Sequence, residues 1–190
     1  SELAKSVFGK SYGSKISGTV KINGKEVSLK NESSAIKHKL AYVTEDRKDE
    51  GLILTNSIKH NITLANLSGV SNRGKIDADK EHNVALEQRE SLNIKCPTVE
   101  QNVGNLSGGN QQKTLLAKWM FADPDILILD EPTRGIDVGA KYEIYCIINR
   151  LVAEGRSVIL ISSELQEVIG MCDRIYIMEN GKIVGEVEGA

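Results

Sequence analysis

Ile126-Leu127-Ile128-Leu129-Asp130-Glu131-Pro132 is the stretch that decides how this 190-residue chain folds. Four apolar residues follow one another without polar alternation, the pattern of a strand covered on both faces, as in a parallel sheet flanked by helices. The run ends in two carboxylates at the carboxyl edge of the strand, where open α/β sheets bind their ligands. Asp130 there suits Mg²⁺, usually through water. Glu131, which the following proline is expected to hold extended, reaches past it toward a water and suits a general base or orienting group. Taken alone, the same residues read as an acidic turn at a strand end.

About twenty residues earlier stands Leu106-Ser107-Gly108-Gly109-Asn110-Gln111-Gln112, where a loop becomes a helix. Ser107 is placed to cap, and the two glycines leave backbone N–H groups uncovered, so the helix end offers donors and a partial positive charge to an anion. By itself this is a plain capped helix after a flexible loop. Followed by the Asp-Glu-Pro turn, it reads as a phosphate-binding tip.

Further out, SELAKSVFG reads as a helix stopped at Gly9, and SGTVKINGKEV as two antiparallel strands turned at Asn23-Gly24. KLAYVTED gives a short strand running into the charges Glu45 to Glu50. From about Ser57 to Ile94 two helical patterns are separated by SGVSNRG. After the Asp-Glu-Pro turn come a helix from about Asp137 to Glu154 with Ile144, Tyr145, Ile147, Ile148 and Leu151 inward, the strand SVILISS, the helix ELQEVIGM and a hairpin turned at Asn180-Gly181. Strands alternating with helices in the second half imply a parallel sheet.

Composition narrows the function. Lys and Arg number 24 against 26 Asp and Glu, a net charge of −2, so nothing in the overall charge draws the chain to nucleic acid or anionic lipid. Cys96, Cys146 and Cys172 have neither disulfide nor zinc spacing and are expected to be buried thiols in a reducing compartment. His38, His60 and His82 lack ligand spacing. No apolar stretch approaches bilayer length and the first residues show no signal-peptide pattern, which places the chain in the cytoplasm as a soluble unit. Trp119, Met120 and Phe121, and with them Tyr142 and Tyr145, are expected in the core rather than in a ligand box.

LSGGNQQK followed by LILDEPTRGIDVGAKYEIY resembles the signature and Walker B regions of ATP-binding cassette (ABC) ATPases, with Gly135-Ile136-Asp137 at the place of the D-loop. Together with AYVTEDRKDEGL and LISSELQE, these residues resemble the second cassette of the fused two-cassette ATPases that drive ribose, xylose, galactose and arabinose importers. The resemblance covers nearly the whole chain. It implies a P-loop NTPase-like α/β cassette: an antiparallel β part at about 12–30, a helical subdomain at about 50–112 carrying the signature, and an α/β core at 113–190. It implies ATP and Mg²⁺ as ligands, Glu131 as the catalytic carboxylate, Asp130 and Glu45 at the metal, Ser107, Gly108, Gly109 and Gln111 as signature contacts to a nucleotide held by another cassette, and Asp137 in the D-loop.

The implied partners are the first cassette of the same or a second chain, membrane permease subunits and, indirectly, a sugar-binding protein outside the membrane, with no nucleic acid. The place is the cytoplasmic face of the membrane. The segment Glu45 to Asn61 is where such cassettes receive the permease, with Leu52, Ile53 and Leu54 expected as an apolar groove floor and Arg47 on its charged rim. DNA-repair and translation-associated ABC ATPases are alternatives, but the coiled coils, zinc modules and basic linkers of those proteins are not seen. A binding half without catalytic activity is a third.

The chain departs from the family pattern at three places. The loop G-x-x-x-x-G-K-[ST] does not occur, and Ser1-Glu2-Leu3 matches only its tail and the helix it opens; the first core strand and the adenine-stacking aromatic residue are likewise expected to be missing, so tight ATP binding by this chain alone is not expected. Glu45 stands where most members have the Q-loop glutamine, and its charge calls for compensation by Mg²⁺. Ser163 stands at the switch-histidine position. An intact signature with an altered γ-phosphate sensor implies asymmetry: Ser107, Gly108 and Gly109 complete the hydrolysing site, while Asp130 and Glu131 serve a weaker one.

Overall fold

The computed structural model describes residues 1–9 and 16–188. Helix α1 (Glu2–Gly9) is followed by the hairpin β1 (Val20–Ile22) and β2 (Lys25–Val27). Residues 12–15, the expected beginning of the β part, lie outside the described residues. Helix α2 (Glu32–Lys37) starts at a reciprocal cap: Asn31 Oδ1 accepts the Ser34 N–H at 2.9 Å, and Ser34 Oγ accepts the Asn31 N–H at 3.1 Å. It leads into strand β3 (Leu40–Val43), buried along its whole length.

The charge run is an ordered turn. Residues Arg47–Gly51 form one π-helical turn, closed where the Gly51 N–H donates to the Asp46 carbonyl at 3.1 Å. Asp46 Oδ1 accepts the N–H groups of Lys48 and Asp49 at 3.0 and 3.1 Å, and these bonds, Asp49 first, hold its carboxyl below the usual range.

The helical part comprises α3 (Ile58–Thr63), a 3₁₀ stretch over Leu64–Val70, and α4 (Ala78–Ser91). Between them SGVSNRG is more than a linker: strands β4 (Ser71–Asn72) and β5 (Lys75–Ile76) pair across Arg73-Gly74, both with positive φ. Asn23-Gly24 and Asn180-Gly181 turn in the same way. An arginine is rare in that conformation, which is why composition alone does not reveal this third hairpin. Helix α5 (Gly108–Phe121) crosses the expected boundary at 112/113 as one unbroken element and stops ahead of Pro124.

Strand β6 (Ile126–Asp130), helix α6 (Val138–Ala153), strand β7 (Ser157–Ile161) and helix α7 (Leu165–Met171) complete the α/β core. The sheet is parallel in the order β3-β6-β7, with Leu40 opposite Ile126, Val43 opposite Leu129 and Asp130 opposite Ile161. Strands β8 (Arg174–Glu179) and β9 (Lys182–Glu188) form a separate antiparallel hairpin. Because β6 is central, Leu127 and Leu129 are fully buried, as the unbroken apolar run requires.

The core gathers α1, α5 and the inner face of α6. Ile144, Ile147, Ile148 and Leu151 are buried, and Phe8 stands edge-on to Trp119 with ring centroids 5.4 Å apart. Three expectations need correction. Cys146 is exposed and Cys172 half-buried, leaving Cys96 as the buried thiol. Tyr142 is 69% exposed because it lies on the outer face of α6, two residues before Ile144. Trp119 is buried as expected, whereas Met120 and Phe121, in the last turn of α5, are half-buried. Among the described residues no helix is long and apolar enough to cross a membrane.

Candidate active site

The carboxyl edge of the parallel sheet collects most of the candidate residues. Asp130 ends β6 with its side chain inaccessible to solvent. Its Oδ2 accepts the Tyr42 hydroxyl from β3 at 2.8 Å, and its Oδ1 accepts the Ser1 hydroxyl at 3.1 Å. Ser1 Oγ also lies 3.3 Å from Glu45 Oε2. One hydroxyl thus stands between two carboxylates brought from the start of α1, the loop after β3 and the end of β6. Burial, and then the bond to Asp130, pushes the Tyr42 phenol well above its usual range, so it remains a proton donor to that carboxylate.

The charge of Glu45 is compensated inside the chain. Arg134, in the turn after β6, forms an ion pair with Glu45 Oε1, a compensation that the sequence alone does not anticipate. Arg134 is exposed and its role carries no local sequence signal; only the fold brings it opposite residue 45.

Glu131 is not extended. Its φ is +48°, against the ordinary preference of a residue before proline. The conformation is fixed at both ends of the residue: the Glu131 N–H donates to the Ile161 carbonyl at 2.8 Å, and Oε1 accepts the Ser163 N–H at 2.8 Å. Position 163 therefore acts through its main chain, holding the carboxylate beside Asp130. Behind it, Thr133 Oγ1 donates to Glu167 Oε1 at 2.9 Å, tying the turn to α7 in a buried contact.

The signature forms a second tip. Ser107 occupies the cap position of α5, yet its side chain makes no bond to the helix backbone; its Oγ accepts from Asn110 Nδ2 at 3.0 Å, which corrects the capping role expected of it. The uncovered N–H groups of the first turn are left to an outside acceptor. Gly108 and Gly109 also have reasons inside the chain. A Cβ on Gly109 would lie 2.5 Å from the Ala140 Cβ, so α5 and α6 meet here backbone to side chain. A Cβ on Gly108 would lie 2.9 Å from Arg47 Nη2 and 3.4 Å from the Gly135 carbonyl oxygen.

Gln111 is buried, and its Nε2 donates to the carbonyl of Leu106 at 3.2 Å, which supports the preceding loop. Asp137 caps α6, Oδ1 accepting the Ala140 N–H at 2.9 Å, which fixes the turn that precedes the helix.

The segment expected as a groove divides differently. Leu52 is buried, Leu54 half-buried and Ile53 43% exposed, so Ile53 alone of the three faces outward. Arg47 turns inward, Nη1 donating to the Arg134 carbonyl at 3.0 Å. The far end of the turn is held by Lys118 of α5, whose buried ammonium donates to the Gly51 carbonyl at 2.6 Å.

Burial lowers the Lys118 pKa to about 8 from 10.5. Between those values the unfolded chain binds more protons than the folded one, so stability gains with rising pH across this window. Wild type is expected to gain stability relative to Lys118→Met as pH rises from 8 to 10.5, measured by urea unfolding at each pH. Parallel profiles would place the amine at its ordinary pKa.

A carboxylate pair under a sheet edge, a glycine-rich helix tip and an N-capped turn between them are one arrangement, and comparison with known proteins bears on what it is. The family model described as "ABC transporter" matches residues 1–134. The chain belongs to the ABC transporter family. The cassette is 56% identical over 186 residues to the L-arabinose transport ATP-binding protein AraG of Geobacillus stearothermophilus, covering 98% of this chain and 36% of that protein. It is 50% identical to the xylose import ATP-binding protein XylG of Thermoanaerobacter pseudethanolicus, over 97% of this chain and 36% of that one. To the ribose import ATP-binding protein RbsA of Bacillus cereus it is 47% identical, over 98% and 37%. The cassette thus spans little more than a third of these relatives' length.

Among solved structures, a nucleotide-free ATP-binding cassette from an ABC transporter matches with a TM-score of 0.80 at 19% identity, over 99% of this chain and 75% of that one. A dimeric post-hydrolysis cassette bound to ADP and Pi matches with 0.73 at 20%, over 90% and 73%. Both likenesses concern the fold.

Proposed function

We propose that the cassette is the signature- and Walker B-bearing part of an ATPase subunit that drives import of a monosaccharide, working at the cytoplasmic face of a membrane with permease subunits and a sugar-binding protein. The observation that carries this reading is the convergence of Ser1 Oγ, Glu45 and Asp130 on one point at the carboxyl edge of the sheet, with Glu131 held beside it by the Ser163 N–H. Relatives named for arabinose, xylose and ribose support the monosaccharide.

A hydroxyl and two carboxylates, all hard oxygen donors, fit Mg²⁺. Ser1, Glu45 and Asp130 would hold it, and the ion would supply charge neutralisation to the nucleotide's phosphates. Tyr42 keeps Asp130 oriented through its hydroxyl, and Arg134 limits the repulsion Glu45 would exert on phosphate. Glu131, anchored by main-chain contacts at both ends, positions the attacking water. The first turn of α5 presents its N–H groups and partial positive charge to a nucleotide held by a second cassette. The segment Glu45 to Asn61, with Ile53 outward, supplies the permease contact, and a β part at about 12–30, a helical part at about 50–112 and a core at 113–190 belong to the same reading.

The test is monosaccharide uptake into vesicles holding the full-length protein and its membrane subunits, with a sugar-binding protein outside and ATP within. ATP- and Mg²⁺-dependent accumulation of one labelled monosaccharide is the expected result. Hydrolysis of ATP with no sugar accumulated for any of arabinose, xylose, ribose and galactose would overturn the transport reading.

A further inference from the structure

Two charged side chains of the turn at 47–51 point into the cassette: Glu50, which accepts from Lys5 Nζ and Thr44 Oγ1, and Arg47, which reaches toward the candidate site. Its backbone is fixed at both ends: Asp46 caps the turn through the Lys48 and Asp49 N–H groups, and Lys118 grips the Gly51 carbonyl. From this base the guanidinium reaches two places. Nη1 donates to the Arg134 carbonyl, in the turn that follows Asp130 and Glu131. Nη2 lies over Gly108, so close that a Cβ there would stand 2.9 Å away. Nε is buried without a partner, which indicates that the two ends of the fork, and not the stem, determine its placement.

We infer that Arg47 is a positioning residue for ATP hydrolysis: it sets the distance between the signature tip and the turn after the Walker B strand. This rests on the proposed ATPase function. In a two-cassette arrangement the signature serves the nucleotide on the partner cassette, while the turn at 133–136 serves the nucleotide on this one. A single planar fork spanning both therefore links the geometry of the two sites. Arginine suits this because its donors are fixed in one plane, whereas a lysine reaches only one of the two places. Gly108 bears on the same spacing, since a Cβ there would stand 2.9 Å from Nη2 and shift it.

The experiment is steady-state ATP hydrolysis by the full-length protein with its membrane subunits, for wild type, Arg47→Ala, Arg47→Lys, Gly108→Ala and the Arg47→Ala/Gly108→Ala double variant, with thermal melts of each. Misplacing a binding group by a fraction of an ångström is expected to lower kcat of Arg47→Ala by about 10- to 100-fold while KM moves by less than about 3-fold. Arg47→Lys recovers part of kcat. The double variant is expected to be no slower than the slower single variant, because both lesions remove the same spacing. An unchanged kcat in Arg47→Ala, strictly multiplicative losses in the double variant, or a lowered melting temperature with kcat per folded molecule intact would each overturn the inference. Absence of hydrolysis in wild type would instead count against the ATPase reading itself.

Discussion

Gly108→Asp in the full-length protein is expected to lower ATP hydrolysis by about 100- to 1,000-fold, the scale seen when one oxyanion-stabilising donor is removed. The substitution puts a negative charge on the first turn of α5, where the uncovered N–H groups and the helix dipole otherwise favour phosphate. The new carboxylate meets the Arg47 guanidinium, since a Cβ there would lie 2.9 Å from Nη2. The charge thus neutralises Arg47 as well as repelling the nucleotide. Glu131→Gln is expected to have the smaller effect, since the asymmetry of Ser163 and Glu45 assigns Glu131 to the weaker of two sites. Hydrolysis rates of the two variants, measured side by side with melting temperatures, check the ranking. The reverse order would sink the asymmetric assignment.

Trp119→Ala is expected to destabilise the cassette by about 3–5 kcal/mol, the cost of removing a large aromatic side chain from a packed interior. Trp119 is 8% exposed and edge-on to Phe8 of α1, and Phe8 in turn lies 5.6 Å, centroid to centroid, from Tyr42 of β3. The three rings join the helix that follows Ser1, the strand that leads to Glu45 and the helix that begins at the signature. Losing the Trp119 ring therefore frees α5 from α1 and leaves Phe8 held on its Tyr42 side alone. Trp119→Phe is expected to cost less than about 1.5 kcal/mol, as it keeps most of the apolar contact and discards an indole N–H that has no partner. Urea unfolding followed by far-UV circular dichroism gives both values; equal losses would show that ring size does not matter here.

The apolar run at 126–129 and the LSGG turn made the fold and the two halves of the site legible, because both depend on local pattern: continuous burial in one case, uncovered backbone in the other. What could not be read locally depends on pairing across the sheet. Glu45 announced a charge problem, but its solution, Arg134, is 89 residues away and belongs to a turn with no composition cue. Arg47 read as a rim charge because a run of charged residues is ordinarily solvated; a π-helical turn capped by Asp46 rotates it inward instead. Glu131 read as extended because a proline follows, and the two main-chain bonds to Ile161 and Ser163 override that local preference. Gln111 was assigned by its neighbours in the signature, while its burial follows from the packing of α5 against the loop at 103–106.

The hold on Glu131 has a bearing on how this cassette tolerates genetic drift. The donor at position 163 is a main-chain N–H, which nineteen of the twenty encoded amino acids provide alike. Replacing serine there leaves the carboxylate tethered whatever side chain is installed, and proline alone severs the tether. The tether thus places no demand on the side chain at 163, whereas the bonds made by Asp130 and Glu131 depend on their carboxylates.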